Sequence, residues 1–285
     1  MNMEVIMSIK VIVLDIDGTL VNNKKQISKR TKDTLIHAQE KGIKLILASG
    51  RPTRGLYDLA SILKMDQHHG FLISFNGAKI TDCQSQEVLF NQTIDIRDAK
   101  EVLEHMKNFR VRPMIDKNDY MYVNNVYDSN ILFNGQMVNI IEMEARSGNY
   151  KLCEVDDLAE FLDYPINKIL TAAPNDYLME NYEKMYEPFK GRLTGMFTSE
   201  VFFEFTALGV DKAKALEKVL IPMGYKREEI MAFGDGQNDK SMIEYAGLGV
   251  AMGNALEEVK EVADLITLTN EEDGVSHMVE KYLLQ

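Results

Sequence analysis

Basic side chains are in short supply in this 285-residue chain: 32 Lys and Arg stand against 44 Asp and Glu, a formal net charge of −12. That balance argues against a nucleic-acid or anionic-membrane surface, since both need basic patches. It does not argue against a phosphorylated small-molecule partner, because one metal ion and one or two basic side chains reverse the sign locally. Cysteine is nearly absent. Cys83 and Cys153 have no metal-ligand spacing and imply no disulfide framework, which fits a reducing compartment. No apolar run approaches the roughly 18 residues of a membrane span. No basic region followed by a long apolar segment opens the chain, so no signal peptide is expected. Internal repeats and low-complexity segments are also lacking. These absences together describe a soluble, cytoplasmic protein. Of the early methionines Met1, Met3 and Met7, the last suffices as a start, because the first strand begins only afterwards.

What is present is apolar content of 45%, enough for a sizeable core in one large domain or two ordinary ones. The run Val11-Ile12-Val13-Leu14 reads as a buried parallel strand, and Asp15-Ile16-Asp17-Gly18-Thr19 follows it directly. Two carboxylates one residue apart at the end of such a strand are costly to bury unless a cation or bound partner offsets them. The plainer reading is an Asp-Gly turn with one acid capping the next helix. Similar runs recur. Lys44 to Ala48 leads into Ser49-Gly50-Arg51, Phe71 to Ser74 into Asn76-Gly77, and Ile230 to Phe233 into Gly234-Asp235-Gly236-Gln237-Asn238-Asp239. Helical patterns lie between them, over Lys29 to Lys41 and Lys212 to Met223. This alternation predicts an α/β protein with a doubly wound, mostly parallel sheet. In such a sheet ligands collect outside the carboxyl ends of the strands, an edge that would carry Asp15, Asp17, Ser49, Arg51, Asp235, Asn238 and Asp239 together.

From about Glu87 to Arg192 the chain turns rich in Tyr, Asn and Met. Short strand-like pieces (Met121-Tyr122-Val123, Lys168-Ile169-Leu170) alternate there with helical pieces (Asp98 to Phe109, Asp156 to Phe161), and none ends in a comparable polar cluster. The middle, 87–192, is therefore read as an inserted α/β domain, with 1–86 and 193–285 joining to complete one sheet. Boundaries read this way carry an error of several residues.

The motifs Asp15-Ile16-Asp17-Gly18-Thr19, Ala48-Ser49-Gly50-Arg51, Gly209-Val210-Asp211-Lys212 and Gly234 to Asp239, in that order, resemble those of the haloacid dehalogenase-like (HAD) superfamily. Asn76-Gly77-Ala78, Gly249 to Ala255 and Asp273-Gly274-Val275 resemble in particular its Cof-like branch of small-molecule phosphatases. The resemblance spans nearly the whole chain. It implies a Rossmann-like core with a C2-type cap, Mg²⁺ as cofactor, and hydrolysis of phosphorylated metabolites through a phospho-aspartate. Asp15 would be the nucleophile and Asp17 the acid–base that protonates the leaving alcohol and later activates water. For that role a crowded anionic site should raise Asp17 above its reference pKa of about 3.9. The metal would be held by Asp15, the main-chain carbonyl of Asp17, Asp235 and, close by, Asp239, which could instead cap the following helix. Lys212 would neutralise phosphate and Asp15 together, with Lys214 as its ordinary exposed neighbour. Ser49, the Gly50 amide and Asn238 would bind phosphoryl oxygens. The family more often has Thr where this chain has Ser49, and the hydroxyl is kept.

Several residues keep two readings. Arg51 either reaches substrate or pairs with a core carboxylate such as Asp235. Asn76-Gly77 forms either a hinge loop or a plain turn. Tyr120, Tyr122 and Tyr127 are read as packing residues, His68-His69 as a surface loop, and His37, His105 and His277 as helical residues without a ligand partner. Specificity would lie within 87–192. Sugar phosphates lead, with nucleotides, pyridoxal phosphate and flavin mononucleotide open. The rivals are a phosphomutase, a halide-removing enzyme, which would not need Asp17 or the metal acids, and a non-catalytic phosphometabolite-binding protein. Nothing in the sequence speaks to oligomeric state.

Overall fold

A computed structural model describes residues 9–133 and 135–284 of the chain; the start at Met7 lies outside them. The elements run, in chain order, β1 (Val11–Leu14), α1 (Lys29–Glu40), β2 (Lys44–Ala48), α2 (Arg54–Ile62), β3 (Phe71–Ser74), β4 (Lys79–Asp82) and β5 (Val88–Asn91). The middle then holds α3 (Ile96–Met106), β6 (Arg112–Lys117), β7 (Tyr120–Val123), β8 (Asn130–Phe133), β9 (Gln136–Asn139), α4 (Ile140–Ser147) and β10 (Lys151–Glu154). It continues with α5 (Leu158–Phe161), β11 (Lys168–Ala172), α6 (Asn175–Tyr186), β12 (Leu193–Ser199) and β13 (Phe202–Ala207). The closing part is α7 (Lys212–Leu220), β14 (Ile230–Gly234), α8 (Lys240–Tyr245), β15 (Leu248–Ala251), α9 (Glu257–Lys260), β16 (Leu265–Ile266) and α10 (Gly274–Leu283). No helix among the described residues is long and apolar enough to cross a membrane.

The chain divides into two compact units, Met1–Phe90 with Asp211–Gln285, and Asn91–Val210. The first is built on one eight-stranded sheet in the order β16-β15-β14-β1-β2-β3-β4-β5. β1 pairs in parallel with both β14 and β2, with Leu14 opposite Phe233 on one side and Leu47 on the other. All four residues of β1 are buried, as expected for a strand covered on both faces by helices. β4 returns antiparallel to β3. The helices carry local start signals. Ser28 accepts from the Thr31 amide at the head of α1, and Asp211 accepts from the Lys214 amide at the head of α7.

The second unit has a six-stranded sheet in the order β10-β7-β6-β11-β13-β12 and a separate β8–β9 hairpin. One core gathers α3, α5 and α6 around Leu103, Leu158, Leu178 and Phe205; another gathers α4 and the hairpin around Ile131, Ile140 and Leu170. The sequence reading ended the insertion at Arg192. The structure keeps 193–210 with the second unit, because β12 and β13 pair antiparallel with each other and β13 pairs with β11. Both cysteines are free, Cys83 buried in the first unit and Cys153 half-buried in the second.

Candidate active site

Register decides which residues meet at the sheet edge. Leu14, Leu47 and Phe233 lie side by side, so the residues after them emerge together at the carboxyl ends of β1, β2 and β14. Asp15 is held in line by its amide, which donates to the Phe233 carbonyl at 3.0 Å. The chain then turns tightly: the amides of Leu20 and Val21 both donate to the Ile16 carbonyl at 3.0 Å. Gly18 sits in this turn at φ +85°, where a side chain would run into the Asp235 carboxylate.

Asp15, Asp235 and Asp239 form one acidic cluster, with an oxygen from each within 4.8 Å of the others. Lys212 enters it from α7. Its side chain is wholly buried, and its Nζ donates to Asp15 Oδ1 at 2.8 Å, Asp239 Oδ1 at 2.5 Å and the Ala48 carbonyl at 2.8 Å. The position follows from the helix. Lys212, Ala215, Leu216, Val219 and Leu220 are the buried residues of α7, one stripe at helical spacing, and the lysine occupies its first turn. Lys214 is exposed. Among the described residues the second oxygen of Asp15 accepts no hydrogen bond.

Three carboxylates gather near one lysine, which bonds two of them, and the charge excess shows. Burial, with the charges of Asp239 and Asp235 added, pushes Asp15 well above the ordinary carboxylate range against the pull of Lys212. Burial raises Asp235 to about 6, although Thr19 Oγ1 donates to its Oδ1 at 2.9 Å. Burial alone would lower Lys212; Asp15 and Asp239 outweigh it and hold the lysine charged. A converging set of hard carboxylate oxygens with surplus negative charge fits Mg²⁺ or a similar divalent cation.

Asp17 faces elsewhere. Arg51 grips its carboxylate with two hydrogen bonds of 2.7 Å, and Lys25 adds a third at 2.6 Å. Burial raises the Asp17 pKa, but Arg51 and then Lys25 outweigh it, and the group ends below its ordinary value. The expectation of a raised Asp17 is thus overturned, because the sequence offers no sign that two cations converge on it. Arg51 pairs with Asp17 rather than with Asp235.

Asp239 makes no side-chain cap on α8. Its Oδ2 accepts from the amides of Asp235 and Gly236 at 3.0 and 2.9 Å, fixing the loop that carries Asp235. Ser49 is buried at the end of β2, its Oγ accepting from the Arg51 amide at 3.2 Å. Gly50 follows it, packed so closely on the Asn76 amide group that a Cβ would lie 3.1 Å away. Asn238 is exposed, and its Nδ2 donates to Asn76 Oδ1 at 3.0 Å.

Four residues joined to these were not assigned to the site by the sequence reading: Lys25 on Asp17, Thr19 on Asp235, Asn76 (read there as hinge or turn) on Asn238, and Asn254, whose Nδ2 donates to the Gly18 carbonyl at 2.8 Å. Thr19, Asn76 and Asn254 lie inside motifs quoted above; Lys25 carries no such signal. Tyr127 is exposed, while Tyr122 packs against Phe161 with ring centroids 4.4 Å apart.

The profile described as haloacid dehalogenase-like hydrolase matches residues 12–279. The chain is 32% identical to Phosphatase YwpJ of Bacillus subtilis, covering 96% of this chain and all of that protein. It is 33% identical to the 5-amino-6-(5-phospho-D-ribitylamino)uracil phosphatase YcsE of the same organism, covering 97% of this chain and 96% of that one. A crystal structure of a haloacid dehalogenase-like hydrolase from Bacteroides thetaiotaomicron superposes with a TM-score of 0.88 at 37% identity, covering 96% of this chain and 99% of the other. The chain therefore belongs to the haloacid dehalogenase-like hydrolases, and its enzyme class is that of the phosphatase hydrolases it matches end to end.

Proposed function

We propose that this hydrolase is a Mg²⁺-dependent phosphomonoesterase of small phosphorylated metabolites, sugar phosphates foremost, acting through a phospho-Asp15 intermediate. The observation that carries the reading is the state of Asp15. It is buried, one oxygen is bound by Lys212, and the other takes no hydrogen bond among the described residues. The unbonded oxygen attacks phosphorus, forming the Asp15 Oδ–P bond as the ester P–O bond breaks. Asp17 gives the departing alkoxide its proton, then removes one from the water that cleaves the acyl phosphate and frees inorganic phosphate. Giving a proton requires Asp17 to exchange its contacts to Arg51 and Lys25 for the leaving oxygen. Lys212 offsets charge on Asp15 and the phosphoryl group, while Ser49 Oγ, the Gly50 amide and Asn238 donate to phosphoryl oxygens. Asp15, the Asp17 carbonyl and Asp235 would hold the metal, with Asp239 supporting them. When bound it neutralises the phosphoryl charge and orients the group for in-line attack.

The likeness to a phosphatase named for a phosphorylated ribityl compound supports a substrate whose phosphate sits on a sugar-like chain. We read the inserted unit as a C2-type cap that selects it, and the enzyme as cytoplasmic. Phosphate release from a generic aryl phosphate, with Mg²⁺, with chelator, and with Asp15→Asn, tests the proposal. Release should need both metal and Asp15, with the circular dichroism of the variant unchanged. Turnover retained by Asp15→Asn overturns the mechanism. If the wild type releases nothing, a metal-dependent Asp15 adduct with a phosphoryl mimic still supports it, and no adduct identifies a binding protein.

A further inference from the structure

The second unit holds a cleft of about 390 Å³ that shares no residue with the acidic cluster. Its origin lies in strand register. β6 pairs with β7 only from Met114 opposite Val123, so Arg112 and Pro113 run past the end of β7. Pro113 also offers no amide to the ladder. Beyond Val123 the chain folds back in a turn: Asn125 Oδ1 accepts from the amides of Tyr127 and Asp128 at 2.8 and 3.1 Å. The notch between this turn and the end of β6 that β7 leaves uncovered, still paired to β11 on its other side, is the cleft, and Val111, Pro113 and Ile141 give it an apolar wall.

Two arginines reach it. Arg112 is half-buried, its Nε donating to the Asp128 main-chain carbonyl at 2.8 Å. Arg110 is exposed; its guanidinium lies over the Tyr177 ring, 4.8 Å from its centre, and its amide donates to the Tyr177 hydroxyl at 2.9 Å. Neither guanidinium pairs with a carboxylate among the described residues, in a chain with 44 acids for 32 bases. Asp128 also lines the cleft, leaving one positive charge in excess there. A guanidinium fork is shaped for carboxylate or phosphate oxygens, and the volume suits a small ligand.

We infer that this cleft binds a compact organic anion, its phosphate or carboxylate held between Arg110 and Arg112 and its apolar body on Val111, Pro113 and Ile141. The test is local, so that anion binding at the acidic cluster does not confuse it. The full chain is treated with phenylglyoxal, and modification of the peptide bearing Arg110 and Arg112 is followed by mass spectrometry. Phenylphosphonate, phenylacetate or neutral benzyl alcohol is present in parallel. Protection should slow modification at least fivefold with one or both anions and not with the alcohol, and the stronger of the two tells phosphate from carboxylate recognition. In Arg112→Gln, protection of Arg110 should fall at least tenfold in apparent affinity while hydrolysis of the aryl phosphate stays within twofold of wild type. Equal rates with anion, alcohol and buffer overturn the proposal, as does protection of Arg110 that survives Arg112→Gln.

Discussion

Replacing Lys212 with Met keeps most of the stem's volume and removes one buried charge. In the folded protein that charge lies 2.8 Å from Asp15 and 2.5 Å from Asp239. At an effective dielectric of about 20 each contact is worth roughly 6 kcal/mol of gross attraction. Desolvation of the ions takes back several kcal/mol apiece, and loss of one partner of a buried pair costs about 3–5 kcal/mol net. Here a single deletion strands two carboxylates, so the upper half of that range is expected in metal-free protein at pH 7. Thermal unfolding should fall by roughly 8–20 °C, taking 2–4 °C per kcal/mol for a domain of 150–250 residues. Hydrogen exchange of the β1 and β2 peptides assigns the loss to the first unit, since the two units need not unfold together. Lys214→Met, on the exposed face, should stay within about 0.5 kcal/mol of wild type. Adding Asp239→Asn to Lys212→Met removes one stranded charge and should restore about 1 kcal/mol or more, a coupling expected of groups in contact. A Lys212→Met protein as stable as wild type, or strict additivity in the double variant, refutes the reasoning.

Two further perturbations follow from the geometry. Gly77 has φ +107°, and a Cβ there would overlap the Asp211 main-chain carbonyl; Gly77→Ala should cost more than the 1–2 kcal/mol of left-handed strain alone and lower phosphate release by moving Lys212. Gly42→Ala, at φ +89° with open space around it, should cost only the strain, and equal losses at the two sites in urea unfolding would contradict the close contact. In the second unit, burial would lower Lys168, but Glu204, then Glu144 and Asp116, outweigh it and raise its pKa. A raised lysine stabilises the folded state fully below its unfolded value of about 10.4 and loses that contribution as pH climbs through the folded value. The stability gap between wild type and Lys168→Met should therefore narrow above pH 10.4, and a gap that widens there would show the sign to be wrong.

Most of the first unit was legible because its strands are buried on both faces and read as unbroken apolar runs ending in polar residues. Lys212 was reached through the motif resemblance alone, and the structure supplies the physical reason: it heads a buried stripe continued by Ala215, Leu216, Val219 and Leu220. The segment 193–210 was not. β12 and β13 are ordinary short strands, and only their pairing with each other and with β11 assigns them to the second unit; pairing is a tertiary fact with no local signature. Asn76 could be read as a turn residue, and it does hold φ +56°. Its hydrogen bond to Asn238, 162 positions away, is invisible to spacing.

The sharpest limit concerns two aspartates one residue apart. Their spacing assigns both to the sheet edge but is silent on which cations each will meet. Asp15 turns inward to a lysine it must share with Asp239, while Asp17 receives both Arg51 and Lys25. Burial wins at the first, and the paired cations win at the second, so the pKa values separate in opposite directions. Separation of this kind lets two like groups take different roles, yet its sense is the reverse of what the proposed chemistry needs, an ionised nucleophile and a protonated acid. On the proposed mechanism, a divalent cation would relieve the surplus negative charge around Asp15 and so keep the nucleophile ionised. On the same mechanism, an incoming phosphate dianion would compete with Asp17 for Arg51 and Lys25 and so let the acid take up a proton. On the proposed mechanism the site's charge pattern would be completed by its ligands, and the motif points to residues without showing the protonation states in which they would work.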